Sequence, residues 1–265
     1  MEYTIRDLQL SIFEVMLELK RVCDENHLRY TLFGGTCLGA IRHGGFIPWD
    51  DDADFAMPRS DLNKLLNLYK NGAFKGEYVL QSYDPEKEPH YSEGMMRLRK
   101  KNTLCVIDYH RSAGYNELGV FVDIFPLDPI KKSANVRRLW SRYHLVQRCL
   151  GNKISAKTPT LKSKLLRFVL RPFSKESLLA KRESICKKIN DEDADFCIDL
   201  NSKEGLKKGV FDKGIVFDTI DKPFEGVLFK VPNDYDKFLK YVYGDYMKLP
   251  PENERVGHLP KEIKL

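Results

Sequence analysis

Short strands interspersed with amphipathic helices predict an α/β or α+β domain. Three observations carry that expectation. Tyr3 to Asn26 repeats its apolar residues at helical spacing. Several short runs alternate polar and apolar residues and break at Gly or Pro. Residues 134–190 then return to helical spacing. The 265 residues are 42% hydrophobic and 11% aromatic, enough apolar matter to pack a core. No apolar run reaches the roughly 18 residues of a membrane span. No signal peptide or internal repeat is visible.

Leu8, Ile12, Val15, Met16, Leu19 and Cys23 define the apolar side of the first helix. Arg29 to Phe33 reads as a strand running into Gly34-Gly35, and Thr36 to His43 as a helix. Gly44-Gly45 breaks that helix, and Pro48 keeps the next stretch extended. Asp52 to Met57 reads as a strand, followed by a helix over Arg59 to Tyr69 with Ser60 as N-cap. Further strands are expected at Tyr78–Tyr83, Met95–Lys101, Leu104–Asp108, Val120–Phe125 and Gly226–Val231, and a last helix at Tyr235–Tyr243. Gly244 to Leu265, rich in Pro and charge, is expected to wrap the surface.

Charge is segregated. Lys131 to Lys188 holds 17 Lys and Arg against Glu176 and Glu183, a net +15, which leaves −9 for the rest of a +6 chain. This asymmetry points to a polyanionic partner. Leu139, Tyr143, Val146 and Leu150 form one apolar stripe, with Arg137, Ser141, His144 and Arg148 on another face. Leu161, Leu165, Phe168 and Val169 form a second stripe, opposite Lys164, Arg167 and Arg171. Such helices either lie on an anionic membrane or form a subdomain with a solvated basic face. Six cysteines at 23, 37, 105, 149, 186 and 197 include no C-x-x-C pair, so reduced, partly buried thiols are expected rather than a zinc site.

The chemistry concentrates between Gly34 and Asp54. Asp50, Asp51, Asp52 and Asp54 repel one another unless cations or hydrogen bonds compensate. On a strand, Asp50, Asp52 and Asp54 would share one face. Same-face carboxylates suit Mg²⁺, which takes oxygen ligands and leaves room for substrate phosphates. Asp123, a lone acid in Phe121-Val122-Asp123-Ile124-Phe125, is the best third ligand, and a third carboxylate would permit a two-ion site. An acidic turn or a calcium loop is the bland alternative, but the spacing is not that of an EF-hand. Gly34, Gly35 and Thr36, between a strand and a helix, would let backbone N–H groups approach a phosphate. Arg42 and His43 either reach phosphate or favour a helix C-terminus. Arg97, Arg99 and Lys101 alternate on a strand and would present a cationic row to a diphosphate, or guard a strand edge. Trp49 offers an aromatic face, and His258 is either a surface residue or a substrate contact.

These residues carry a resemblance. Phe33-Gly34-Gly35-Thr36, Leu38-Gly39-Ala40-Ile41-Arg42-His43, Gly45-Phe46-Ile47-Pro48-Trp49-Asp50-Asp51-Asp52-Ala53-Asp54 and Met57-Pro58-Arg59 are similar to the LicD family of choline-phosphate transferases. So are residues 97–103, Val122-Asp123-Ile124-Phe125-Pro126-Leu127-Asp128 and residues 243–251. The resemblance is weakest over 134–220. It implies an α+β, nucleotidyltransferase-like mixed sheet flanked by helices, with a basic helical insertion, related to fukutin-type ribitol-phosphate transferases. The expected division is a catalytic core at 1–133, a basic helical subdomain at 134–220 and a returning segment at 221–265. The implied reaction moves phosphocholine from CDP-choline to a sugar hydroxyl of teichoic acid or lipopolysaccharide precursors, releasing CMP. Relatives use CDP-ribitol or CDP-glycerol, and an NTP-dependent nucleotidyltransferase is the rival. Asp52, Asp54 and Asp123 match the family's metal positions for one or two Mg²⁺, or Mn²⁺, ions. Gly34, Gly35, Thr36, Arg42, His43, Trp49, Arg97, Arg99, Lys101 and His258 are the expected substrate contacts. The acceptor is expected to be a lipid-linked glycan, and the location cytoplasmic, peripheral on the inner face of the plasma membrane. Nucleic acid is not expected, because clustered aspartates repel phosphate without metal.

Overall fold

A computed structural model describes residues 3–84, 86–107, 114–131, 134–154, 161–190, 193–202, 206, 208–257 and 260–265. The class is α+β, with a mixed sheet flanked by helices. The first helix, α1 (Ile5–Glu25), starts at Thr4, whose hydroxyl accepts from Asp7 N while the Asp7 side chain accepts from Thr4 N. Its face Leu8, Ile12, Val15, Met16, Leu19, Val22 and Cys23 is fully buried, as the periodicity requires.

The short strand β1 (Thr31–Leu32) leads into α2 (Gly34–His43), so the glycine pair forms the first turn of that helix rather than a loop before it. Next come β2 (Asp54–Pro58) and α3 (Arg59–Lys70). Two expectations fail here. Asp50 to Ala53 precede the strand, so a shared strand face does not group Asp50 and Asp52 with Asp54. Ser60 lies inside α3 and Pro58 is its N-cap, with no side-chain capping bond.

Strands β3 (Tyr78–Gln81), β4 (Met96–Lys100), β5 (Leu104–Val106) and β6 (Phe121–Ile130) follow. The order across the sheet is β1-β2-β6-β4-β3, with β2 and β6 parallel and the other pairs antiparallel. Strand β6 runs five residues past its expected end at Phe125. Pro126 looks like a strand terminator because it lacks an N–H. It is tolerated because β6 changes antiparallel partner around it: β4 covers Phe121–Ile124, and β7 (Phe196–Asp199) covers Leu127–Ile130. Strand β8 (Val210–Asp212) pairs with β7, so both strands join the main sheet.

The basic segment supplies α4 (Ala134–Ile154), α5 (Leu161–Val169) and α6 (Lys175–Ile189). Tyr143 and Val146 of α4 pack on Ile185, Cys186 and Ile189 of α6, and both helices bury Ile130, Ile198 and Leu200 of the sheet side. A short helix α7 (Lys213–Phe217) precedes the hairpin β9 (Thr219–Phe224) and β10 (Val227–Pro232). Its turn, Glu225-Gly226, has positive φ at both residues. Pro223 disguised β9 in the sequence. Helix α8 (Tyr235–Tyr243) falls where its periodicity placed it, and the tail strand β11 (Glu262–Lys264) pairs with β5. All six cysteines are free thiols, and burial pushes Cys37, Cys105, Cys186 and Cys197 up to about 12. Among the described residues no helix is long and apolar enough to cross a membrane.

Beneath the far end of β2 and β6 lies a buried polar group. Arg59 donates from Nε and Nη2 to the two oxygens of fully buried Asp128, at 2.9 and 2.7 Å. Asp199, opposite Leu127, accepts from Asn201 N at 2.8 Å, yet burial raises its pKa to about 6. The unfolded carboxyl ionises near pH 3.9. Between about pH 4 and 6 the unfolded chain therefore holds fewer protons, and stability falls as pH rises through that window. Asp199→Asn should flatten this slope and stabilise the protein at pH 7 by roughly 2–3 kcal/mol. Parallel denaturant titrations at pH 4.5 and 7 check it; an unchanged slope would place the titration elsewhere.

Candidate active site

The site is assembled at the start of β2. The parallel register sets Asp54 opposite Asp123, and the antiparallel register of β4 sets Arg97 opposite Asp123. Three adjacent strands thus deliver two carboxylates and a guanidinium in one row. Arg97 Nε donates to Asp123 Oδ1 at 2.6 Å, with the arginine nearly buried. Its guanidinium sits over the rings of Phe121 and Tyr91, at 5.3 and 6.0 Å. Arg97 Nη1 is buried without a hydrogen-bond partner. Removing one member of such a buried pair costs about 3–5 kcal/mol, so truncating Arg97 would damage the fold as well as the site.

Helix α2 points its N-terminus at the carboxylates. A Cβ on Gly34, whose φ is +51°, would lie 2.9 Å from Asp54 Oδ2, and one on Gly35 would lie 3.1 Å from Asp50 Oδ2. The glycine pair is needed because side chains there would meet the acids. The Thr36 hydroxyl accepts from Asp54 N at 2.7 Å, and Phe33 N donates to Asp54 O at 3.0 Å. The helix dipole then acts on the acidic group and on any anion brought to it.

Asp50, Asp51 and Asp52 sit in the loop that enters β2. Each offers an oxygen within 4.8 Å of the others, the arrangement of a cation site among the described residues. Distant segments hold this loop. Gln9, on the buried face of α1, donates from Nε2 to Ile47 O at 3.1 Å and Asp50 O at 2.9 Å. Glu225 accepts from both Arg6 nitrogens, at 2.9 and 2.6 Å, and from Phe46 N at 3.2 Å. Gly257 of the tail packs so closely that a Cβ would stand 2.5 Å from Trp49 O and 3.1 Å from Asp51 Oδ1.

The carboxylates are strained by proximity. Burial, then Asp51, raises Asp50 to about 6. Burial, followed by the charges of Asp52, Asp123 and Asp50, holds Asp54 well above the usual carboxylate range. Burial raises Asp123 despite the opposing pull of Arg97. An all-oxygen, crowded, partly buried donor set of this kind fits a hard divalent cation, which would relieve the repulsion.

The remaining expected contacts divide. Arg42 donates to Tyr246 O at 2.6 Å and so ties down the C-terminal segment. His43 lies edge-on to Trp49 at 6.4 Å, and Arg255 covers the Trp49 ring at 5.5 Å. Arg99 is buried, donating to Gln81 Oε1 at 2.6 Å and Gly119 O at 2.7 Å. Lys101 lies beyond β4 and donates to Gly76 O at 2.7 Å. Of the cationic row, Arg97 is the member hydrogen-bonded to Asp123. His258 lies outside the described residues.

Sequence reasoning missed Tyr243. It ends α8, and its hydroxyl lies 3.8 Å from the Cβ position of Gly34, above the Asp54 carboxylate. The residue as a whole is 44% exposed, but desolvation of its hydroxyl end, followed by the Asp54 and Asp50 charges, raises its pKa, so the hydroxyl keeps its proton and is a donor. Gln9 was hidden likewise: a polar residue on an apolar helix face was its only signal.

Residues 27–149 match the LicD/FKTN/FKRP nucleotidyltransferase domain. The chain is 28% identical, over 96% of its own length and 96% of the relative's, to the lipopolysaccharide cholinephosphotransferase LicD of Haemophilus influenzae. Over 52 residues, 20% of this chain and 10% of the relative, it is 44% identical to the ribitol 5-phosphate transferase FKRP of Homo sapiens. The mouse FKRP aligns to the same extent.

Mg²⁺ or Mn²⁺ should raise the melting temperature by about 5 °C at a hundredfold excess over Kd. Asp54→Asn should abolish that rise while leaving the metal-free protein as stable as before, or more so. Differential scanning fluorimetry with and without EDTA checks both. An equal rise in the variant would remove Asp54 from the cation site.

Proposed function

We propose, for a chain that matches the LicD/FKTN/FKRP nucleotidyltransferase domain over residues 27–149, the metal-dependent transfer of a phospho-alcohol from a CDP-activated donor to a glycan hydroxyl. The relatives' names support a phosphotransferase, and the lipopolysaccharide cholinephosphotransferase aligned over 96% of both chains favours phosphocholine as the group moved; CDP-choline as donor, with a lipopolysaccharide or teichoic acid precursor as acceptor, completes the reading. The observation that carries this reading is the register row of Asp54, Asp123 and Arg97, closed by the acidic loop and the N-terminus of α2.

Asp52 and Asp54 are the residues that would hold Mg²⁺, with Asp50 beside them, and Asp123 would either hold a second ion or stay free to act as general base. When bound, the metal supplies charge neutralisation for the diphosphate and the leaving CMP. The chain's own groups do the rest. The Gly34 and Gly35 amides and the α2 dipole receive phosphate oxygens. Arg97 fixes the Asp123 carboxylate and brings a positive charge next to the acids. The acceptor hydroxyl oxygen attacks the phosphorus that bears the alcohol, its proton passes to Asp123, and the bond to CMP breaks. The Tyr243 hydroxyl donates to a phosphate oxygen from the opposite wall. The lipid-linked acceptor would bring the enzyme to the inner face of the plasma membrane.

The test is CMP release with Mg²⁺ and a lipid-linked glycan extract, comparing CDP-choline, CDP-ribitol and CDP-glycerol. CMP should form with CDP-choline and vanish in Asp52→Asn with an unchanged melting curve. CMP from CDP-ribitol alone would keep the mechanism and change the transferred group. Pyrophosphate from an NTP instead would overturn the reading. Tyr243→Phe should lower kcat about tenfold at unchanged melting temperature; unchanged kcat would move Tyr243 off the reaction path.

A further inference from the structure

The helices of the basic segment part company in the fold. The apolar stripes of α4 and α6 pack on each other and on the sheet, with Tyr143, Ile185 and Ile189 buried. Among the described residues the stripe of α5 packs on nothing comparable. Leu161 is 85% exposed, Leu165 67%, Phe168 64% and Val169 59%, and Phe173, just beyond, is 48% exposed. Positions 161, 165, 168 and 169 recur at helical spacing, so these side chains make one continuous ridge. Scattered exposed leucines are ordinary, but four large apolar residues on one face of a nine-residue helix are not.

The ridge is held out from the body rather than hanging loose. Leu170, at its end, is buried, and Lys153 of α4 donates to Leu170 O at 3.1 Å. Cations edge it. Lys164 and Arg171 are exposed, and the Arg171 guanidinium lies 5.3 Å from the Phe168 ring centroid. An arginine covering the flank of an apolar ridge can keep its charge at the headgroup level while the ring enters the acyl region.

We infer that α5 and Phe173 are a docking element for an anionic lipid bilayer. The +15 balance of residues 131–188 decides the occupant. A second copy of this chain seated on the same ridge would bring two such segments face to face, whereas an anionic membrane neutralises them. The ridge lies in the bilayer interface plane, with Leu165 and Phe168 as its deepest anchors. The arrangement needs no donor, acceptor or metal, so it stands or falls apart from the transferase reading.

Co-sedimentation of the full chain with vesicles tests it. Wild type should pellet with 1:1 phosphatidylcholine:phosphatidylglycerol vesicles, far less with pure phosphatidylcholine, and less again in 0.5 M salt. Leu165→Ser with Phe168→Ser should weaken partitioning at least tenfold. Both side chains are largely exposed, so the melting curve should not move. Lys164→Glu with Arg171→Glu should weaken binding to anionic vesicles only. Failure of wild type to pellet, or equal pelleting of the serine variant, would overturn the inference. So would a wild-type dimer in light scattering that the serine variant dissolves, since the ridge would then be a self-association face.

Discussion

The parallel pairing of β2 with β6 is the constraint on which the rest of the site depends. Its register places Asp54 beside Asp123, two acids that would avoid each other in an unfolded chain. A shift of one residue would send Asp54 to the opposite face of the sheet from its partners and dissolve the site. The register is held from both ends. Arg97 ties Asp123 to the third strand, and Arg59 grips Asp128 where β6 leaves β4 for β7.

The electrostatic cost of the acidic cluster explains several features that look unrelated. A helix N-terminus made of two glycines admits the carboxylates at short range. Gln9, Glu225 with Arg6, and Gly257 come from three distant parts of the chain, and each restrains the loop that carries Asp50 to Asp52. Burial raises the pKa of Asp50 and Asp54, so the protein holds its acids in a state that a cation would relieve. The stability given up there is what the proposed cation would restore.

Much of this was legible in sequence for local reasons. Helix periodicity placed α1 and α8, and the lone Asp123 in an apolar run marked a buried, purposeful acid. Two strands that the sequence reading shortened or left out carry a proline: Pro126 inside β6 and Pro223 inside β9, tolerated because a missing N–H matters only on the side where a partner strand needs it. The alternation of Arg97, Arg99 and Lys101 was read as one cationic row. In the fold Arg99 and Lys101 satisfy carbonyl and amide oxygens of neighbouring segments, since a side chain's partner depends on what the sheet packs beside it. The similar apolar stripes of α4 and α5 concealed, for the same reason, that one is buried and the other exposed.

By itself the sequence determined a class of interspersed strands and helices, the residues that carry charge, and the motif that resembles a family, because these rest on composition and short-range spacing. Tertiary structure alone decided the register that pairs Asp54, Asp123 and Arg97. It alone brought Gln9, Tyr243 and Gly257 to the acidic loop. Those contacts join residues far apart in the chain, and no local pattern encodes which distant side chain will fill a given space.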